Sequence, residues 1–346
     1  MPRRAPDAGP VLKDVAAAAN VSIMTASRAL RGVEGVSEAK RAEILRIAGR
    51  LKYTPNSSAR SLVTHHSDLV GISVPTFFND VFAEMVGGMR RAIDLAGYSS
   101  VIDTTEYQVD VELAWAERLL SWRPAAFILT GCTHHPKLGE ALRRADIPTL
   151  QVWDVTDDPI DICVGIDHVG AGRMVAQHCI DRGYRAPAFI GVTAARDPRA
   201  EGRLVGFQER FATCPDAAPV HVTRSEQGNS FAAGFDGTQR MLATYQPDVI
   251  FYLNDHLAFG GLEACRAAEI AVPDDIGMIG FNALDLTAVL PVPLTTVRTP
   301  RRLIGTTGAR NLLARIHGIA VERLVTLPVE FVPGATIRHQ GQGNAV

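Results

Sequence analysis

From Leu69 onward the chain alternates short apolar runs with amphipathic helical stretches, and this alternation constrains the fold more than any other feature. LVGISV, SSVID, AFILT, TLQVW and ICVGI form one series, and AFIGV, HVT, VIFYL and IGMIG form a second. Alternating strand and helix predict an α/β body with parallel, doubly wound sheets, and two series predict two such subdomains. That layout leaves a ligand cleft between the lobes, at the carboxyl ends of the strands. At 346 residues and 47% hydrophobic content, the chain exceeds one ordinary domain and has ample apolar residues for buried cores.

The first fifty residues follow a different rule. Leu12 to Ala19 is an Ala-rich helical run broken at Asn20 and Val21, and Ser22 sits where its side-chain oxygen can cap a second helix running to about Leu30. Two helices across so short a turn make a helix-turn-helix. In that motif the second helix enters the major groove and presents its N-terminal residues to base edges, here Ile23, Met24, Thr25, Ser27 and Arg28. Taken alone, the stretch also fits a small Ala-rich subdomain with no partner. A third helix begins near Ser37 and carries Ile44, Leu45, Ile47, Ala48 and Leu51 as its apolar stripe. Beyond it Pro55 ends one element, and Asn56 caps a short hinge helix that presents Arg60 and Leu62.

Charge follows the same division. Residues 1–67 hold eleven Lys and Arg against five Asp and Glu, about +6, leaving 24 against 32, about −8, in the remainder. A basic head on an acidic body fits phosphate contact by the head alone, although a solvated basic face has the same composition.

Enzyme motifs for phosphate loops, nucleophile elbows, zinc helices and dinucleotide folds are missing, and the glycines between Gly165 and Gly172 lack the dinucleotide spacing. The doublets His65-His66 and His134-His135 aim neighbouring rings apart, so neither predicts a metal site, and no cofactor is expected. Five scattered cysteines read as reduced, small core residues. The N-terminus has no signal-peptide core and no run of about eighteen apolar residues exists, so a cytoplasmic protein without membrane contact is expected.

The runs LKDVAAAANVSIMTASRAL and LKYTPNSSARSL, followed in order by NDHLAFGGLEA, PLTTV and GARNLLARIHG, resemble the lactose-repressor (LacI/GalR) family of bacterial transcription regulators. The resemblance spans the chain. It implies a helix-turn-helix head over residues 1–54, a hinge over 55–67, and a periplasmic-binding-protein-like body over 68–340. The body would interleave two subdomains, 68–166 with 298–326 and 167–297 with 327–340. It further implies a homodimer on double-stranded operator DNA, with Leu62 as a minor-groove wedge. Effector contacts are implied at Phe82, Thr133, Asp154, Arg203, Asn229 and Asp255, with Arg203 and Asp255 matching the family's effector clamp.

NDVFAEMVGGM, LLSWRPAAFILTGCTHHP, DICVGIDHVGA and TPRRLIGTTGARNLLARIHG are closer to gluconate-operon repressors, so gluconate, a related sugar acid or its phosphate is the expected effector. GFNALD departs from the family's Gly-Tyr-Asp-Asp pattern and puts contacts from that loop in doubt. The region after LPVEFVP lacks leucine heptads, so a dimer rather than a tetramer is expected. The other readings are a neutral-sugar or purine regulator of the same family, and a cytoplasmic sugar-binding protein or enzyme without DNA function.

Overall fold

The computed structural model describes residues 10–30, 32–53, 67–77, 80–193, 197–226, 228 and 230–339. Asn56, Arg60, Leu62 and Asn229 therefore lie outside the described residues. The chain divides into two compact units, Met1–Ser67 and Asp68–Val346.

The first unit holds α1 (Leu12–Ala18), α2 (Ile23–Leu30) and α3 (Glu38–Arg50). Asn20, at φ +50°, turns the chain between α1 and α2 through the left-handed region, which Asn tolerates better than most residues. The Ser22 hydroxyl accepts the Thr25 amide proton at 3.0 Å, and Ser37 caps α3 through the Lys40 amide at 3.4 Å. Val15, Ala19, Ala29, Ile44, Ile47 and Ala48 form the core. Leu45 does not join it and is 49% exposed. Ile44, Ile47, Ala48 and Leu51 recur at spacings of three and four, whereas Leu45 is rotated about 100° from Ile44 and points outward.

The second unit carries β1 (Leu69–Val74), α4 (Asp80–Leu95), β2 (Ser99–Thr104), α5 (Val109–Leu120), β3 (Ala126–Thr130), α6 (Pro136–Arg144), β4 (Thr149–Trp153) and β5 (Ile162–Gly165). It continues with α7 (His168–Ile180), β6 (Pro187–Val192), α8 (Pro198–Ala212), β7 (His221–Ser225), α9 (Phe231–Thr244), β8 (Val249–Tyr252), α10 (Asp255–Ala267) and β9 (Gly277–Ile279). It closes with α11 (Leu286–Val289), β10 (Thr296–Arg298), α12 (Arg301–Ile316), β11 (Leu324–Thr326) and β12 (Glu330–Val332).

One sheet runs β11-β5-β4-β3-β1-β2 and the other β7-β6-β8-β9, with every pairing parallel, while β10 and β12 form an antiparallel pair. The two strand series thus fold into two sheets. Helix α12 lies against α4, β4 and β5 of the first sheet, although it follows the strands of the second.

The core extends through both sheets, and a separate cluster of Trp115, Leu119, Phe127, Leu129, Leu138 and Leu142 sits beneath α5 and α6. Glycine sets one contact that matters for the site. A methyl on Gly172 of α7 would collide with the Arg203 carbonyl, and one on Gly206 of α8 with the Val169 carbonyl. These two helices therefore meet backbone to backbone, which sets the start of α7 against Arg203. All five cysteines are free; Cys163, Cys179 and Cys265 are buried, and Cys132 and Cys214 are half-buried. Among the described residues no helix is long and apolar enough to cross a membrane.

Candidate functional site

On α2 of the head, Ala26 and Ala29 face the core, and Ile23, Met24, Ser27 and Arg28 share the opposite side. Ile23 is 50% exposed and Met24 62%, an apolar pair in water at the start of a helix. Thr25 is half-buried, its hydroxyl 2.8 Å from that of the Ser22 cap. The five residues expected at base edges thus share one short helix, four of them on its outer face.

In the body, a cavity of about 310 Å³ opens at the carboxyl ends of the first sheet. Thr105, Tyr107, Glu112, Thr130, Gly131, Thr133 and Asp154 line it from that sheet, and Pro198 and Arg199 from the start of α8. Asp197 caps α8 by accepting the Arg199 amide proton at 3.1 Å, and Pro198 occupies the first turn, where no amide proton is needed. Arg199 and Arg203, four residues apart, then fall on one helical face.

Arg199 is 7% exposed, and its Nε donates to Asp197 Oδ1 at 3.0 Å. Its guanidinium lies 5.6 Å from the Phe82 ring centroid and 5.5 Å from that of Tyr107. Among the described residues its terminal nitrogens have no hydrogen-bond partner. Burial opposes its charge, but Asp197 and Asp154 hold its pKa above the ordinary arginine value. Burial likewise opposes the charge of Asp197, yet Arg199 and Arg203 hold that carboxyl below the usual carboxylate range.

Arg203 is used differently. Nη2 donates to the Leu253 carbonyl at 3.2 Å, Nη1 lies 3.0 Å from His168 Nδ1, and the guanidinium rests 4.4 Å from the Phe281 ring centroid. An arginine only donates, so His168 Nδ1 accepts and the ring proton sits on Nε2, 3.3 Å from Asp154 Oδ1. That pair is close without hydrogen-bond alignment. Burial, joined by Arg203, lowers the His168 pKa and keeps the ring neutral, and burial brings Arg203 down to about 10, still charged at neutral pH.

Phe82 is buried edge-on to Trp153 at 5.8 Å, and Thr133 is exposed on the cavity rim. Trp153 holds φ +86°, a strained conformation for a bulky residue, immediately before Asp154. Glu112 accepts the Ser73 hydroxyl at 2.6 Å, with its other oxygen 2.6 Å from His134 Nδ1. Asp255 is not a lining residue of this cavity. It is fully buried at the start of α10, where Oδ1 accepts the Thr296 hydroxyl at 2.6 Å and Oδ2 the Leu284 amide proton at 2.8 Å. Burial raises its pKa to about 6. A wider hollow of about 710 Å³ near the start of α12 is lined by Arg301 and Arg298, which pair with Glu84 and Glu330, each at 2.9 Å, and also by Asp285 and Arg302.

Residues 11–56 match the family model for bacterial regulatory proteins of the lacI family, and residues 176–337 that for a periplasmic binding protein-like domain. The HTH-type transcriptional regulator GntR of Escherichia coli K12 is 34% identical over 331 residues, covering 95% of this chain and 98% of that protein. The chain belongs to the lacI family of bacterial regulatory proteins. A LacI-family transcriptional regulator from Silicibacter pomeroyi superposes with a TM-score of 0.86 at 33% identity, over 95% of this chain and 100% of that one. The lac repressor dimer bound to operator and the anti-inducer ONPF shares the fold at TM-score 0.83 and 24% identity, over 95% and 99% of the two chains.

As a LacI-family transcriptional repressor the protein is a DNA-binding regulator and not an enzyme. Gly172 belongs to the close crossing of α7 and α8, and of the α8 arginines Arg199 lines the cavity. Reasoning from the family clamp led to Arg203 and passed over Arg199, Asp197, His168 and Tyr107. A signal for Arg199 was present in its spacing of four from Arg203 and in the Asp-Pro start of the helix.

Proposed function

We propose that the protein is a homodimeric repressor of a near-palindromic operator whose effector is gluconate, a related sugar acid or its phosphate. The observation that carries the effector class is Arg199: a buried, charged guanidinium between two aromatic rings, with unspent donors at a cavity of about 310 Å³. A carboxylate or phosphate matches that fork in charge and planarity. Asp154 and Thr133 supply acceptors for hydroxyls, Phe82 supports the guanidinium, and Arg203, in this reading, holds His168 and Asp154 in place. Asn229 stays a candidate from sequence, and Asp255 is reassigned to joining α10 with β10.

On the DNA side, Ile23, Met24, Thr25, Ser27 and Arg28 read bases, while Asn56, Arg60 and Leu62 form the hinge contact; head, hinge and body take the limits 1–54, 55–67 and 68–340. Leu286, Val289 and Val292, exposed on and after α11, support pairing through the body. The action is cytoplasmic. Because the cavity takes residues from both strand series, a ligand in it favours one arrangement of the lobes and so biases operator affinity.

Calorimetry with gluconate and its phosphate, alongside operator binding, tests this reading. Saturable binding that changes operator affinity supports it. Binding of a neutral sugar or purine in place of either acid overturns the effector class. A tetramer in sedimentation at operator-binding concentrations overturns the assembly.

A further inference from the structure

Two of the five cysteines meet beside this cavity, next to residues that line it. Cys132 Sγ and Cys163 Sγ are 3.8 Å apart, against about 2.05 Å in a disulfide, so a closure of about 2 Å would join them. Cys132 is half-buried in the loop after β3, between Gly131 and Thr133, both of which line the cavity; Cys163 is buried in β5. Gly131, at φ +99°, starts that loop in the left-handed region that glycine adopts without strain.

Both cysteines also hold Asp154. The Cys132 amide donates to its Oδ2 at 3.3 Å, and the Cys163 thiol donates to its backbone carbonyl at 3.2 Å. Cys132 reaches the aspartate through its backbone and Cys163 through its thiol, so a bond between the two sulfurs would pull on both contacts at once. We propose that Cys132 and Cys163 form a reversible disulfide that displaces Asp154 and makes effector binding sensitive to peroxide.

The half-exposed Cys132 meets the oxidant first, and because Cys163 and burial hold its thiol above the ordinary pKa the step is slow. The Cys132 sulfur attacks the O–O bond of hydrogen peroxide, becomes a sulfenic acid and releases one water. The Cys163 sulfur then attacks the Cys132 sulfur and displaces hydroxide, which takes the remaining thiol proton and leaves as a second water. Two thiols lose two electrons, and one peroxide is reduced to two waters. A small thiol reverses the bond by two exchange steps.

The product has no S–H to donate to the Asp154 carbonyl, and the Cys132 amide is drawn toward β5, away from its bond to the carboxylate. Asp154 stands 3.3 Å from His168 and 4.0 Å from Arg199, so its displacement loosens the charged wall of the cavity.

The purified full-length dimer is treated with hydrogen peroxide, blocked with an alkylating agent and analysed by mass spectrometry. A peptide pair joining Cys132 to Cys163, 2 Da lighter than the reduced pair and restored by dithiothreitol, is expected. The pair should vanish in Cys132→Ser and persist in Cys214→Ser, whose half-buried thiol serves as the control. Over-oxidation of Cys132 without linkage, or linkage to another cysteine, overturns the proposal.

The effect on effector rests on the sugar-acid reading above and is measured separately. Oxidised protein should bind gluconate about tenfold more weakly than reduced protein, the loss of roughly one hydrogen bond to a charged group. Equal affinity in the two states overturns the coupling. Because the mass readout needs no ligand, a reduced protein that binds neither acid counts against the effector reading and leaves the disulfide to be decided by its peptides.

Discussion

The head and the cleft break the usual rule of residue placement in opposite directions. At the start of α2, Ile23 and Met24 leave apolar side chains in water; in the cleft, Arg199, Arg203, Asp197 and His168 place polar and charged groups where water is scarce. Each arrangement disfavours the free protein unless something completes it. In the proposed reading the head is completed from outside, by DNA that covers this apolar surface. The cleft is mostly completed from within, by an alternation of arginine and carboxylate that leaves, among the described residues, the terminal nitrogens of Arg199 and the Nε of Arg203 without a hydrogen-bond partner. A surface site therefore tolerates substitution for stability, whereas a buried charged site couples stability to binding.

The sharpest way to break this contrast is Arg199→Ala. Removing one member of a buried pair leaves Asp197 with Arg203 alone to offset its charge, so the body should lose up to about 3–5 kcal/mol in denaturant unfolding, with the binding of sugar acids lost as well. Adding Asp197→Ala to the same chain should restore part of the stability and none of the binding. A stable single variant would mean that water already compensates this pair, and the contrast with the head would collapse.

The next effect is on pH. Burial raises the Asp255 carboxyl to about 6 in the folded protein, whereas in the unfolded chain it stays near its ordinary 3.8. The folded state therefore holds an extra proton between these values. Its stabilising contribution is complete below about pH 4 and is lost as pH rises through about 6, a swing of about 3 kcal/mol at about 1.4 kcal/mol per pKa unit. Asp255→Asn should flatten the stability curve across that window, measured as unfolding midpoint against pH. An unchanged slope would show that another group titrates there.

In the head, Met24→Ala should leave stability within about 0.5 kcal/mol, because the side chain is 62% exposed. It should change the ranking among operator variants by about 1–3 kcal/mol at one base position, since an apolar side chain reads a thymine methyl. Equal loss on all duplexes would make Met24 a non-specific contact. The smallest effect is expected from Ser22→Ala, which removes the hydroxyl that caps α2 and should lower the stability of the head by about 1 kcal/mol in thermal unfolding.

The order of strands and helices, the helix-turn-helix, the cap at Ser22 and the start of α3 near Ser37 were legible along the chain, because periodicity and capping act over three or four residues. So was the pairing of Arg199 with Arg203, had the helical spacing been read beside the family clamp. Residues with several neighbours of different sign were not legible. Asp255 stands at a helix start after a strand, where cleft ligands are held, yet its carboxylate turns to Thr296, forty-one residues away. Leu45 looked like core until the rotation of α3 put it in solvent.

What the sequence by itself determined is the local grammar: where strands begin, which face of a helix is apolar, and where the basic head ends. Only the tertiary structure decided that, among the described residues, Arg199 keeps its terminal nitrogens unpaired while those of Arg203 are engaged, that His168 stands between Arg203 and Asp154, and that Cys132 and Cys163 both contact Asp154. These are contacts between residues distant in sequence, produced by the order of strands in the sheet and the close crossing of α7 and α8. Side-chain direction there follows from packing, which no window of the chain contains.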